Sequence, residues 1–226
     1  MKFNIDEQSF RDLNVFSSSS NAEAIVNLFK HTKTIGGREM VQEMMRNPSS
    51  DLKFLTDRTA AISWFLKRHI VLDINSHQLD LIDHHLKHPK RHLKANLIDA
   101  IIDFLRNKIT ASADYYVVES GLKNFFKLSI FLKEYVQVIE ETDAPTGLKE
   151  HAEKINKILS LPALKAMIAI SPKKLRFWHI SRLDSAFRKH LRKELTELLR
   201  LVYELDVYET LAYTIEQKSL CLPEYL

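Results

Sequence analysis

Five histidines fall within sixteen residues of this chain: His77, His84, His85, His88 and His92, with Asp80 and Asp83 among them. His84 and His88 are four apart, a spacing that on a helix can bring two imidazoles to one metal ion. The stretch lacks an H-E-x-x-H arrangement and a fixed third ligand. A solvated polar helix face ending at Pro89 therefore accounts for it better, and a metal-binding helical protein is the weaker reading.

A second cluster is cationic. Residues 173–193 hold Lys173, Lys174, Arg176, Arg182, Arg188, Lys189, Arg192 and Lys193 against a single acid, Asp184, so this segment carries a net +7 in a chain whose total is +4. Phe177, Trp178 and Phe187 lie among these charges. Lysine and arginine mixed with aromatics is the composition of a nucleic-acid surface, because phosphate contacts dominate such affinity. The candidate DNA-binding residues are Arg182, Arg188, Lys189, Arg192 and Lys193; the competing reading is an ordinary solvated helix face. Phe187 falls on the apolar stripe and is expected to be buried.

The remaining chemistry is thin. "TIGGRE" brings Gly36 and Gly37 together in a chain with only four glycines. A Walker loop needs G-x-x-x-x-G-K-[ST] after a strand. Here Arg38 and Glu39 follow the glycines and no apolar strand precedes them. A close helix corner fits better, since glycine permits φ > 0 or close backbone approach. Cys221, the one cysteine, excludes an internal disulfide and a Cys-based zinc site. Glu140 and Glu141 read as solvated carboxylates at a helix end. No catalytic, cofactor-binding or metal residue is assigned.

These side chains need elements to position them. Four glycines and six prolines in 226 residues are too few for the turns of an all-β fold, so the expected class is all-α. The acids of "MKFNIDEQSF" exclude a signal peptide's apolar run, and no stretch approaches the ~20 apolar residues of a membrane span. The expected location is cytoplasmic, with no membrane partner.

Ser20 and Glu23 form a capping-box pattern before Ala24, Ile25, Leu28 and Phe29, predicting a helix that ends near Thr32. Met40, Val41, Met44 and Met45 form the stripe of a second helix, stopped by Pro48. Asp51 is placed to cap a third, with Leu52, Leu55, Ala60, Ile62 and Phe65 inward. Helical patterns continue over 76–86 and 92–109. "ADYYVVESG" (113–121) is strand-like in composition but belongs to an apolar pattern reaching Val138, which favours helix. "TDAPTG" (142–147) reads as a loop and 161–172 as a short helix. From Arg182 to Gln217 there is no Gly or Pro, and Leu183, Phe187, Leu191, Leu195, Leu198, Val202 and Leu205 recur every three or four residues. They predict one helix roughly 50 Å long at ~1.5 Å per residue, with the five cationic candidates on its opposite face.

The first 65 residues resemble the start of the core domain of the MutS DNA mismatch-repair family. The matching positions are Asp6, Leu13, Asn21, Thr32, Thr34, Gly37, Met40, Val41, Pro48, Asp51 and Arg58, in "NIDEQSFRDLNVF", "NAEAIVNLF", "TKTIGGREMVQEMMRNPSSD" and "DLKFLTDRTAAISWF". Thr34, Gly36, Gly37, Pro48, Asp51 and Arg58 form its structural motif. The family's Arg two residues after the Gly is Glu39 here, with Arg38 one earlier. Near the other end, Leu205, Asp206, Leu211, Ala212 and Pro223 match the L-D-x-x-x-x-L-A segment that closes the family's lever helix.

The resemblance implies a helical core (lever) domain over 1–226, most specific over 1–70, with the long lever helix over 180–218 and the clamp shortened or absent. The family reads a mismatch with an F-x-E element, which this sequence does not contain; the resemblance implies ATP and Mg in a C-terminal ATPase domain outside this chain. It also implies a homodimeric parent ATPase and double-stranded or branched DNA as partner. The chain itself would be a non-catalytic fragment of that parent. The alternative is a helical protein–protein interaction scaffold that makes no DNA contact.

Overall fold

Helices begin where a side chain can accept the backbone N–H groups that a first turn leaves unpaired. In the computed structural model, which describes residues 5–16, 24–89, 93, 101, 102, 105, 113–169 and 176–225, four helices start this way. Asp6 accepts from the Ser9 N–H at 2.7 Å and opens α1 (Glu7–Asp12). Thr34 accepts from Gly37 at 2.8 Å and opens α2 (Ile35–Arg46). Asp51 accepts from Phe54 at 3.0 Å and opens α3 (Leu52–Arg68). Asn75 accepts from Gln78 at 3.2 Å and opens α4 (Ser76–Lys87). There follow α5 (Ala113–Glu141), α6 (Thr146–Leu159), α7 (Pro162–Ile168), α8 (Phe177–Ser185) and α9 (Arg192–Lys218). The class is all-α with a long C-terminal helix, and no strand occurs among the described residues. No helix of the described residues is long and apolar enough to cross a membrane.

The chain divides into two compact units. The first comprises Met1–Ile74, Thr142–His151 and Val202–Leu226; the second comprises Asn75–Glu141 and Ala152–Leu201. In the first, Met40, Val41 and Val207 form a buried cluster flanked by Phe29, Met44, Met45, Tyr203 and Leu211. Phe65 is buried in the same unit, its ring 6.1 Å from that of Tyr208. α3 ends on His69 in the left-handed conformation, whose N–H closes the last turn onto the Leu66 carbonyl.

In the second unit α4 packs along α5 and α8 also packs on α5. Leu122, Phe125, Leu132, Ile139, Leu79, Ile82, Phe187 and Leu198 fill its core. Gly121 makes the α4–α5 approach possible. A Cβ there would collide with the Cβ of His85 and meet its Cγ at 2.7 Å.

Three expectations change. Ser20 and Glu23 lie outside the described residues. Ala24 supplies no side-chain cap, and only a five-residue 3-10 helix, Ile25–Phe29, follows in place of an α-helix. Leu52 is 57% exposed, since the face of α3 that packs inward is Ala61, Ile62, Trp64 and Phe65. The single helix over Arg182–Gln217 is interrupted by a π-helical turn, Ala186–His190, in which the Leu191 N–H reaches the Ala186 carbonyl at 2.9 Å. The expected apolar stripe nevertheless faces inward: Leu183, Phe187, Leu195, Leu198, Val202 and Leu205 are buried and Leu191 is half-buried. The strand-like run at 113–121 is helical. The pattern over 92–109 falls largely outside the described residues.

Candidate functional site

Each unit is organised around one fully buried aspartate. In the first it is Asp206, on α9. Its carboxylate accepts the N–H groups of Lys33 and Thr34 at 3.0 and 2.9 Å and the Thr34 hydroxyl at 2.6 Å. The Thr34 hydroxyl in turn accepts from Gly37 N–H. The aspartate thus holds the cap that starts α2. A Cβ on Gly37 would run into Asp206 Oδ2 and stand 2.8 Å from Thr34 Oγ1; one on Gly36 would run into the Tyr203 ring. Neither glycine has positive φ, so close approach to α9, not a left-handed turn, is what requires them. One helical turn beyond Asp206, Glu209 receives Lys33 Nζ at 2.6 Å and Leu72 N–H at 3.3 Å. Burial raises the Glu209 pKa above the ordinary carboxylate value, against the lowering effect of Lys33.

This arrangement does not fit a nucleotide phosphate. The Gly37 amide is already taken, and the space a phosphate would need beside it holds a carboxylate. The other motif residues are peripheral. Asp51 is an exposed cap, Pro48 is half-buried, and the Arg58 guanidinium lies 5.4 Å from the Phe54 ring centroid.

In the second unit the aspartate is Asp184, on α8. It accepts His85 Nε2 at 2.7 Å, both Arg188 Nε and Nη2 at 2.6 Å, and the Leu93 N–H at 2.6 Å. Burial pushes the Asp184 pKa up, but the hydrogen bonds from His85, Arg188 and Leu93 outweigh it and hold it below the ordinary carboxylate value. The His85 ring, wholly buried, stacks 6.1 Å from Phe187, and its Nδ1 has no hydrogen-bond partner. Arg188 also donates to the His88 carbonyl at 3.4 Å. The His88 side chain is 3.2 Å from Asp114. Burial and then the Arg188 charge hold its pKa below the ordinary imidazole value, opposed by Asp114.

The histidines and cations therefore sort differently from their spacing. His77 and His84 are exposed, whereas His85 is a core residue and not part of a solvated face; His92 lies outside the described residues. No group of three or more potential metal ligands occurs among the described residues. Of the five cationic candidates, Arg182, Lys189, Arg192 and Lys193 are exposed. Arg188 is not: its side chain is 6% exposed and turned onto Asp184. The pair is four apart and shares a helix face, and that face points inward. The Arg188 guanidinium is spent on Asp184 inside the fold and not presented on the cationic face. Lys189, His190, Arg192 and Lys193 line an open depression of about 570 Å3 together with Glu194, Thr196 and Glu197. Lys173 and Lys174 lie outside the described residues.

Sequence reasoning missed the His85–Asp184–Arg188 group. A signal was present: Asp184 is the lone acid in a cationic run, and its helical phase falls with Ile180 and Phe187 on the apolar side. A carboxylate there must be paired, because an isolated buried charge is prohibitive. Comparison with protein-family models, with curated proteins and with solved structures finds no match for this chain.

Proposed function

We propose that this chain is a non-catalytic helical lever in a MutS-like DNA-processing ATPase, with ATP and Mg2+ handled by an ATPase domain outside these residues. One observation carries the proposal. Thr34 and Gly37, drawn from one end of the resemblance, and Asp206, from the other, meet in one buried hydrogen-bonded cluster across 172 residues of chain. Motif positions chosen for spacing alone have no reason to converge unless they belong to one scaffold. Both buried aspartates are committed to structural donors.

The DNA-facing surface in this reading is the exposed set Arg182, Lys189, Arg192 and Lys193. Titration of labelled duplex and branched DNA at ~50 and ~200 mM salt tests it. Affinity should be weak and fall with salt at about 0.9 in the log–log slope per phosphate neutralised. Matched and mismatched duplexes should bind alike, because phosphate contacts carry no sequence information. The triple variant Lys189→Glu, Arg192→Glu, Lys193→Glu should reduce both affinity and slope without lowering the melting temperature. Absence of binding at the lower salt would leave the protein–protein scaffold. The coding sequence beyond Leu226 is expected to encode a G-x-x-x-x-G-K-[ST] loop; a reading frame without one would remove the ATPase from the proposal.

A further inference from the structure

Phe187 and Trp178 of the cationic segment have different fates, and the difference points to a second mode of contact. Phe187 is 1% exposed, in edge contact with Phe125, and serves the core. The side chain of Phe177 is not described. Trp178 remains partly exposed on α8, and the guanidinium of the exposed Arg176 stands 4.9 Å from its ring centroid. The His179 ring lies 5.5 Å from the Trp178 ring, and its Nδ1 accepts the Arg176 N–H at 3.1 Å. That hydrogen bond fixes the histidine and the start of the helix together. Four residues after Trp178, on the same side of α8, comes exposed Arg182. The stripe is therefore a cation, an indole, an imidazole and a second cation, ordered before any ligand arrives.

We infer that Trp178 and Arg176 form a stacking platform for an unpaired base of a single nucleic-acid strand, with Arg182 holding the adjoining phosphate. Aromatic rings and guanidinium planes are what exposed bases stack upon, and every base has a face to offer, so the platform is tolerant of sequence. A duplex keeps its bases inside and gains nothing from an indole; the exposed lysines and arginines beyond the π-turn serve duplex phosphates alone. The inference rests on the DNA-binding reading above and narrows it: the preferred DNA carries an unpaired arm.

The test uses the full chain and three probes: a twelve-residue oligothymidylate, a duplex of similar length and a polyglutamate peptide, all at ~50 mM salt. The oligothymidylate should quench tryptophan fluorescence and bind more tightly than the duplex. Trp178→Ala should weaken the single strand about tenfold, within the range for loss of one stacked base, and change duplex affinity less than twofold. Trp178→Phe should restore most of the difference. Arg176→Ala, at an exposed position, should reproduce part of the loss with an unchanged melting temperature, so the result does not depend on Trp178→Ala folding well. Equal losses for single strand and duplex, or none for either, would overturn the platform while leaving the duplex reading intact. Failure of both nucleic acids to bind would overturn both readings. Polyglutamate binding as tightly as oligothymidylate would replace the platform with an acidic-peptide site.

Discussion

Asp206 and Asp184 are both wholly buried, yet they are neutralised in opposite ways. Asp206 is held by two backbone amides and a hydroxyl, so its charge is met by dipoles belonging to the turn that starts α2. Asp184 is held by a bidentate guanidinium, an imidazole and one backbone amide. The first carboxylate organises backbone; the second compensates a cation that the core would otherwise reject. Removing the partner of a buried ion leaves an uncompensated charge, whereas removing an acceptor from amides leaves unsatisfied donors.

The largest expected effect follows from that difference. Asp184→Ala strands Arg188 beside buried His85 and should lower stability by ~3–5 kcal/mol. Arg188→Lys should recover little of what Arg188→Ala loses, because an ammonium cannot make the two parallel bonds. Asp206→Ala leaves three donors unmet and should lose about 3 kcal/mol, taking ~1 kcal/mol or more for each. Denaturant unfolding measures both; equal losses for Asp184→Ala and a surface alanine substitution would mean that the ion group contributes nothing net.

Gly37→Val should lose ~1–3 kcal/mol, since the added carbon meets Asp206 and Thr34 and a β-branched side chain is stiff. Gly37→Ala should also destabilise, despite the ~1 kcal/mol that alanine gains over glycine within a helix. An alanine variant with a raised melting temperature would show that Asp206 can step aside.

Acid should act next on the second unit, which holds both His88 and Asp184. The pKa of His88 is lowered in the fold, so the folded protein disfavours its protonated form. Its contribution is complete above the ordinary imidazole value and is lost as pH falls from there towards the lowered one. Asp184, also lowered, contributes above the ordinary carboxylate value and is lost as pH falls below it. Melting temperature against pH should therefore drop in two stages, and His88→Gln should remove the upper stage while keeping the lower. Two stages persisting in that variant would place the upper stage on another group, and a single stage in the parent would remove it. The smallest effect belongs to the exposed edge: Lys193→Ala should shift stability by no more than ~0.5 kcal/mol, in contrast to Arg188 five residues earlier.

How far the sequence reached depends on the range of the interaction involved. The scarcity of glycine and proline, the three-to-four spacing of apolar residues and the Asp51 cap are local quantities, and they sufficed for an all-α class, for α2 and α3, and for the buried stripe from Leu183 to Leu205. The glycine pair was legible as a close approach, though not its cause, because Asp206 and Tyr203 arrive from far along the chain. The residues of the Asp184 group were legible only one at a time. His85 and Asp184 are 99 residues apart, and helical periodicity reports which face is apolar without saying which face it will meet. A polar residue on an apolar face has a partner only when two particular helices pack together. The π-turn is of the same kind: Ala186–His190 contains no glycine or proline to announce it. Local propensity therefore set the elements. Packing alone decided that one histidine of the cluster is core, that one arginine of the cationic run is structural, and that Trp178 stays partly exposed.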